Sequence, residues 1–378
     1  MKKAVIVIPT YNEKENIQKL IPEIFTITSK EPWDISVLVV DDTSPDGTGE
    51  AVKHMQKNYP KLHIISGKKK GLGEAYIHGF NYAIEHYKPN FLFEMDADGQ
   101  HNPNLIPSFL KALDAGADFV IGSRYIKGGS IPAEWEFHRK FLSYFGNNLV
   151  LRFGFMEFSI TDWTSGYRAV SVPFIQETIE CYRHLDGYTF QIGIVDQAVK
   201  HGLKIKEIPL QFQDRKIGSS KIQTFKFIFD NLFYILRNSP FIKFVFVGLG
   251  GALVDFGIAA LLISTFDMFK PTANAISAEI AIIFNFMMNN FWSFKYKQIN
   301  PSIKSYISQF AKFNLVSSGS ILIQWGGMYI ALIIFGDRIL NIYFAYVPSW
   351  ILYKILIIAF CIIPYSYFMY NHFVWKKK

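Results

Sequence analysis

Phe91-Leu92-Phe93-Glu94-Met95-Asp96-Ala97-Asp98-Gly99-Gln100 is the segment on which the fold turns. Its first five residues read as a buried β-strand, and the strand runs into two aspartates one residue apart. In an extended chain residues i and i+2 point to the same side. Two carboxylates so placed repel each other unless a cation lies between them. A hard divalent ion such as Mg2+ takes oxygen ligands and keeps positions open for phosphate oxygens. The segment therefore reads as a metal and diphosphate site at a strand end. The same spacing also occurs in solvated turns, so the surrounding sequence has to decide.

Outward from this segment, apolar β-rich runs recur at Ala4–Ile8, Ile35–Val40, Leu62–Ile65 and Phe119–Ile121. Helix-like stretches at Glu13–Ile27, Thr48–Tyr59 and Gly73–His86 separate the first four strands. This βαβα order predicts an α/β domain with a largely parallel sheet covered on both faces. Ligands then bind beyond the carboxyl ends of the strands. The chemically unusual residues fall there: Pro9-Thr10-Tyr11-Asn12-Glu13 after the first strand, Asp41-Asp42 after the second, Asp96–Gln100 after the fourth. Asn12 can serve a helix start, but Tyr11 at such a mouth calls for a base or ribose to pack on. Pro45-Asp46-Gly47 is turn chemistry, and Asp41 and Asp42 are left to accept hydrogen bonds from a base or a ribose. Lys68-Lys69-Lys70-Gly71-Leu72-Gly73 is either a solvated loop or a source of charge for a diphosphate; its spacing does not fit G-x-G-x-x-G, which excludes that dinucleotide fold.

Composition divides the chain. Aromatic residues make up 17 % of it, with 36 Phe, too apolar for one soluble domain. From Phe241 onward four acids face eleven bases, so +7 of the net charge of +8 belongs to the apolar part. A nucleic-acid partner would need those cations clustered on a folded domain; bases flanking apolar runs point to a membrane surface. Four apolar runs, Phe241–Thr265, Ala273–Phe294, Phe313–Phe335 and Trp350–Trp375, reach the roughly 20 residues a crossing helix needs. Lys295, Lys297, Lys304 and Lys312 lie between the second and third, and Lys376-Lys377-Lys378 close the chain. The positive-inside rule then puts both termini and this middle link in the cytoplasm. Asp255 and Glu279 fall within spans, at about 2.5 to 3.5 kcal/mol each on insertion scales, and either meet polar substrate or pair across helices. The stretch Ser219–Asn238 mixes Lys221, Lys226 and Arg237 with aromatic residues and suits the membrane interface. Met1–Pro9 is too short an apolar run for a signal peptide, and Cys181 and Cys361 have no metal spacing.

Residue by residue, the blocks resemble glycosyltransferase family 2 of GT-A fold, nearest to its dolichyl-phosphate mannosyltransferase group. The resemblance covers about Lys2–Lys226 and rests on Val7–Glu13, Val40-Asp41-Asp42-x-Ser44-x-Asp46-Gly47-Thr48, Asp96–His101, Gly122-Ser123-Arg124-Tyr125, Asp162-x-x-Ser165-Gly166-Tyr167-Arg168, Gly187-Tyr188-x-Phe190-Gln191 and Asp214-Arg215-x-x-Gly218-x-Ser220-Lys221. The membrane part resembles the GtrA-like four-helix module that some members carry. The resemblance implies a catalytic domain over 1–218, amphipathic interface helices over 219–239 and a four-helix transmembrane domain over 240–378. It implies that Pro9, Tyr11, Glu13, Val40, Asp41 and Asp42 line the nucleotide pocket, with Asp96, Ala97 and Gln191 beside the donor sugar nucleotide. Asp98 and Gln100, with Asp96 nearby, would hold Mg2+ or Mn2+, and Arg124, Arg215 and Lys221 would pair with phosphates. One position departs from the pattern: relatives carry an acid two residues after the match to Gln191, and here stands Gly193, with Asp196 the nearest substitute.

A hydroxyl acceptor would need a general base, whereas a lipid monophosphate is already largely anionic at neutral pH and needs cations to position it. Trp135-x-x-x-Arg139-Lys140-x-x-Ser143 supplies two cations and a hydroxyl, with Arg139 and Ser143 on one helical face. These are the expected holders of the acceptor phosphate; the alternative is an interfacial basic helix. The reading that results is an inverting transferase of mannose from GDP-mannose to dolichyl phosphate, membrane-bound, with its catalytic domain in the cytoplasm. UDP-glucose and a polyprenyl phosphate are the alternative pair of substrates. A translocase of the lipid-linked sugar is an alternative of another class, and oligomer contact is a second role for the apolar helices. A processive polysaccharide synthase is disfavoured, since no Gln-x-x-Arg-Trp motif is present.

Overall fold

The computed structural model describes residues 1–185, 187–213, 224–297, 302–336, 338–342 and 345–375. The chain forms two compact units, Met1–Ile235 and Leu236–Lys378.

In the first unit, β1 (Lys3–Thr10), β2 (Asp34–Asp41), β3 (Leu62–Ser66) and β4 (Phe91–Glu94) run parallel, connected through α1 (Lys14–Thr28), α2 (Thr48–Met55) and α3 (Leu72–Tyr87). These are the expected strands and helices. After α4 (Ile106–Asp114) come β5 (Phe119–Ser123), α5 (Phe137–Phe145), a π-helical turn over Gly146–Leu151 and α6 (Arg152–Phe155). Then follow β6 (Arg168–Ser171), α7 (Val172–Tyr182), α8 (Gly187–His201), β7 (Ile205–Pro209) and α9 (Thr224–Asn238). The sheet order is β3-β2-β1-β4-β6-β5-β7. The sheet is mixed: β6 pairs antiparallel with both β4 and β5, while β5 and β7 pair parallel. At four residues β6 is too short to announce itself by periodicity, and it opens on Arg168, an unusual residue for a fully buried strand.

The core lies on both faces of β1, β2 and β4. Ile6, Ile8, Val37, Val39 and Phe93 meet Ile17, Ile21, Ile24, Phe109 and Leu110 of α1 and α4 on one of them. Each such side chain contributes about 1.5–3 kcal/mol when fully buried. On the other face α3 comes in close at Gly79, where a Cβ would stand 2.5 Å from Val7 Cγ1 and 2.8 Å from Val40 Cγ2.

The second unit contains α10 (Pro240–Phe266), α11 (Lys270–Met288), α12 (Ile303–Phe335), the hairpin β8 (Ile339–Ile342) and β9 (Ala345–Pro348), α13 (Ser349–Ile357) and α14 (Ile363–Met369). Further π-turns extend α11 over Asn289–Ser293, join α13 to α14, and carry α14 on to Val374. Among the described residues three helices are long and apolar enough to cross a membrane: Pro240–Phe266, Ile303–Phe335 and Ile355–Val374. The run Ala273–Phe294, expected as a fourth crossing, is helical but falls outside this set, because Ser277, Glu279, Asn285, Asn289 and Asn290 dilute its apolar character. Several of these polar groups face other helices. The Ser277 hydroxyl donates to Asp255 on α10 at 2.5 Å, Asn285 fills the space above Gly251, and Asn290 Oδ1 accepts from the Trp375 indole at 3.0 Å. Asp255 thus pairs across helices, the structural alternative for this acid, while Glu279 is exposed.

Candidate active site

Parallel pairing brings the carboxyl ends of β1, β2 and β4 together, with Thr10 opposite Asp41 and Val7 opposite Glu94. The loops that leave these ends are knitted to one another. The Asn12 amide donates to Ser44 Oγ at 3.0 Å, the Glu13 amide to Thr48 Oγ1 at 3.1 Å, and the Lys14 amide to Asp46 at 3.1 Å. Asn12 and Thr43 both adopt left-handed φ values, 61° and 55°, as sharp strand exits require.

The two adjacent acids divide their roles. Asp41 is buried and accepts from Thr10 Oγ1 at 3.0 Å, from Ser44 Oγ at 2.6 Å and from the Ser44 amide at 3.1 Å, so its carboxylate holds the two loops in place. Asp42 is the acid turned toward the mouth, against Gly67 and near His78. Burial and the neighbouring Asp41 charge raise its carboxyl above the ordinary value. The Lys69 ammonium lies 3.5 Å from the centre of the Tyr11 ring, so this lysine of the Lys68–Lys70 loop reaches the loop after β1. Pro9 and Val40 are paired partners at the floor, and Glu13 Oε2 accepts from Asn16 at 2.7 Å.

At the end of β4 the Asp96 amide donates to His101 Nδ1 at 2.9 Å, and Asp96 Oδ1 accepts from Tyr76 at 3.1 Å. His101 Nδ1 is therefore the acceptor and Nε2 carries the proton, 3.8 Å from Asp96 Oδ2. The imidazole is stacked on Tyr167 at 4.9 Å. Asp98 is buried and accepts from the Gln100 amide at 3.1 Å across Gly99, whose φ is +80°. Gln100 gives its side-chain NH2 to the Gln213 carbonyl at 3.2 Å, and its amide oxygen is the atom of the kind a hard cation takes. Among the described residues no group of three or more His, Cys, Asp or Glu forms a metal cage. One buried carboxylate and one amide oxygen fit an ion of the Mg2+ kind, which completes its shell with phosphate oxygens and water rather than with an all-protein cage. Gln191 is buried, with its side-chain amide directed at the Glu94 carboxyl. A Cβ on Gly166 would lie 3.6 Å from Asp96 Oδ2 and 3.7 Å from Gln191 Nε2, so the missing side chain at Gly166 leaves room between these groups.

Arg124 is buried and bound bidentately to Asp162, both bonds 2.7 Å, with a further bond of 2.8 Å to Thr164. Burial alone would raise the Asp162 carboxyl, but the Arg124 charge and hydrogen bonds overcome it and hold it below the ordinary value. Glu207 holds the backbone on the far side, accepting from the Thr161 and Asp162 amides at 3.0 and 2.9 Å. Along α5, the Arg139 guanidinium lies 3.7 Å from the Trp135 ring centre, Lys140 Nζ donates to the Ala133 carbonyl at 2.6 Å, and Ser143 Oγ shares a 2.5 Å hydrogen bond with Tyr125. Phe137 (82 % exposed), Phe141 (51 %) and Tyr144 (61 %) stand out from the same helix. Arg215 and Lys221 lie outside the described residues.

Gly193 is explained by packing: a Cβ there would stand 2.6 Å from Leu185 and 3.7 Å from the Tyr234 hydroxyl. Asp196 is no substitute for an acid at that position, because it accepts from Tyr234 of α9 at 2.8 Å and pairs with Lys200 at 2.6 Å. Tyr76, His101, Asp162 and Tyr125 contact candidate site residues, and sequence reasoning gave them no role. Three of them sat inside quoted motif blocks; Tyr76 carried no signal, since a helical tyrosine reads as core.

A nucleotide-type mouth between β1 and β2, an acidic turn after β4 and a guanidinium after β5 on a mixed sheet define a sugar-nucleotide transferase domain. The glycosyl transferase family 2 pattern matches residues 5–171, and the GtrA/DPMS transmembrane domain matches residues 243–375. The chain is 34 % identical to a dolichol-phosphate mannosyltransferase of Pyrococcus furiosus over 85 % of its own length and 88 % of that protein's. It is 36 % identical to a polyprenol monophosphomannose synthase of Mycolicibacterium smegmatis over 58 % of this chain and 81 % of that one. An undecaprenyl-phosphate mannosyltransferase of Micrococcus luteus is also 36 % identical, over 58 % and 87 %. The chain belongs to glycosyltransferase family 2 and carries a GtrA/DPMS-type membrane domain.

Proposed function

We propose that this protein transfers mannose from GDP-mannose to the phosphate of a dolichyl or other polyprenyl lipid at the cytoplasmic face of a membrane, with inversion at the sugar. The observation that carries the reading is the continuity of two half-sites within one unit. An acidic turn suited to a diphosphate (Asp96, Asp98, Gln100) lies at the end of β4, and Arg124 after β5 leads through Tyr125 to Ser143 and the exposed aromatic face of α5. The similarity to lipid-phosphate mannosyltransferases over most of the chain supports the same reading.

On this reading Tyr11 and Asp42 receive the base and ribose, with Pro9, Val40 and Glu13 around them, and Asp41 keeps the pocket's loops in register. Asp98 and Gln100 would hold Mg2+ or Mn2+, which neutralises the diphosphate as it leaves. His101 and Tyr76 fix Asp96 beside the donor, and the buried Gln191 amide is offered to the sugar. The acceptor phosphate arrives already anionic, so no general base is required. Arg139 and Ser143, aided by Lys140, hold it opposite the leaving group, while Phe141 and Phe137 meet the lipid chain and the bilayer interface.

The test is direct. Full-length protein in detergent receives Mg2+ or Mn2+, a polyprenyl phosphate and either GDP-mannose or UDP-glucose, and the lipid product is weighed. A mannosyl phospholipid from GDP-mannose is expected; a hexose from UDP-glucose alone would reassign the donor. Asp98→Ala is expected to lower kcat by at least about a hundredfold, the scale of losing one electrostatic stabiliser of the departing group. Unchanged turnover in that variant, or in excess EDTA, would remove the metal from the account.

A further inference from the structure

We infer that Tyr125 is a positioning residue of the acceptor site: its hydroxyl fixes the Ser143 hydroxyl, and through Asn147 and Thr164 the acceptor-side helix is locked to the Arg124–Asp162 pair. The inference rests on the reading above that Ser143 and Arg139 take the acceptor phosphate.

The geometry is a closed circuit. Tyr125 Oη and Ser143 Oγ lie 2.5 Å apart. Asn147 Nδ2 donates to the Ser143 carbonyl at 3.1 Å and to Thr164 Oγ1 at 3.0 Å, and Asn147 Oδ1 accepts from the Trp163 amide at 2.9 Å. Thr164 Oγ1 in turn accepts from Arg124 Nη2 at 2.8 Å, and Arg124 is the chain neighbour of Tyr125. Asn147 is buried and sits in the π-helical turn that follows α5, a local form that recurs at functional sites. The Tyr125 ring is bracketed by the Tyr144 ring at 6.1 Å, edge on, and by the Arg124 guanidinium at 5.4 Å. These contacts hold the ring in place, with its hydroxyl within reach of Ser143 and of the Asn147 side chain.

The chemistry gives the bond a direction. The geometry allows either direction, and a phenol, as a better donor and a poorer acceptor than an aliphatic hydroxyl, favours Tyr125 as the donor to Ser143. Burial raises the Tyr125 phenol above its ordinary value and keeps it protonated at neutral pH, with the Arg124 charge opposing. Ser143 then has its own proton to give, and a phosphate oxygen is the acceptor that matches it. Without the phenol, Ser143 can turn its proton to a backbone carbonyl of the preceding turn, as serine in helices does, and the phosphate loses a donor.

The experiment measures binding of a soluble prenyl monophosphate, farnesyl phosphate, to the full-length protein in detergent by calorimetry, alongside KM for polyprenyl phosphate and for the donor. Tyr125→Phe keeps the ring and removes the hydroxyl. Its farnesyl phosphate affinity is expected to fall about tenfold, the scale of one hydrogen bond to a charged group, with GDP affinity unchanged. Ser143→Ala is expected to lose as much, the double variant no more than either single one, and Ser143→Thr to retain most of the affinity. Unchanged affinity in Tyr125→Phe, equal loss of GDP affinity, or additive losses in the double variant would overturn the inference, as would absence of farnesyl phosphate binding by the parent protein. If the parent binds the prenyl phosphate but transfers no sugar to it, the proposed function fails and the positioning role is judged on binding alone.

Discussion

Glu94 is the last residue of β4, two positions before Asp96, fully buried and opposite Arg168 in the β4–β6 register. Burial pushes its carboxyl up to about 7, against the pull of the Arg168 guanidinium, which itself bonds to the Gln191 and Trp163 carbonyls at 2.7 and 2.8 Å. Between the ordinary carboxyl value of 4.5 and about 7 the unfolded chain has released a proton that the native state keeps. Stability is therefore fully present below that window and falls as pH rises through it, by about 3 kcal/mol in all. Thermal midpoints of the detergent-solubilised protein should decline between pH 5 and about 7, and Glu94→Gln should flatten that slope; an equal slope in the variant would mean another group is responsible. Asp162 belongs to the opposite case, a carboxyl held down by its partner. Asp162→Asn should cost about 3–5 kcal/mol, the penalty for leaving the buried Arg124 charge without its counter-ion, read as a fall in thermal midpoint. The acids of Asp96–Gln100 could be singled out in sequence because they follow a strand in a βαβα pattern, with other unusual residues after the neighbouring strands, where such sheets bind ligands. The division of labour between Asp41 and Asp42 was not, since both carboxylates look alike until Thr10 and Ser44 are seen to consume one of them.

At the scale of elements, α3 depends on Gly79. A methyl group there would press on Val7 and Val40 in the strands that carry the pocket. Gly79→Ala should cost about 1–3 kcal/mol of stability, as overpacking does, and the displaced strand ends should weaken GDP binding as well; a stable variant with normal GDP affinity would contradict this. In the second unit Gly251 plays the same part for α10, because the Asn285 side chain fills the position a Cβ would take. The helices α8 and α9 are joined by two buried polar links, Thr189 to Asn231 at 2.8 Å and Tyr234 to Asp196 at 2.8 Å. Strands β1 to β5 and helices α1 to α3 followed from the sequence pattern, whereas α4 did not. The short strand β6 escaped that pattern because four residues with a buried arginine carry no repeat, and its direction is set by where β4 and β5 leave a gap.

For the whole molecule, the decisive quantity is how many times the second unit crosses the membrane. Among the described residues three helices qualify by length and apolarity alone; α11 does not, yet the excess of lysine around the link from α11 to α12 calls for a crossing there. Bonds such as Ser277 to Asp255 lower the cost of its polar groups in hydrocarbon. After replacement of Cys181 and Cys361 by serine, Ser302→Cys should react with an impermeant thiol reagent from the cytoplasmic side. Phe269→Cys should react only from the other side. Labelling of both from one side would leave α11 outside the count of crossings.

The sequence alone determined the α/β order, the acidic turn at the end of β4, the basic and apolar C-terminal part and the transferase family, because each is written in local spacing or composition. Only the tertiary structure decided which acid of a pair Thr10 and Ser44 engage, that Arg124 is held by Asp162, that Asp196 bonds Tyr234 and Lys200, and that Tyr125 meets Ser143. Those outcomes depend on which side chains from distant segments share one small volume, and no local periodicity encodes that.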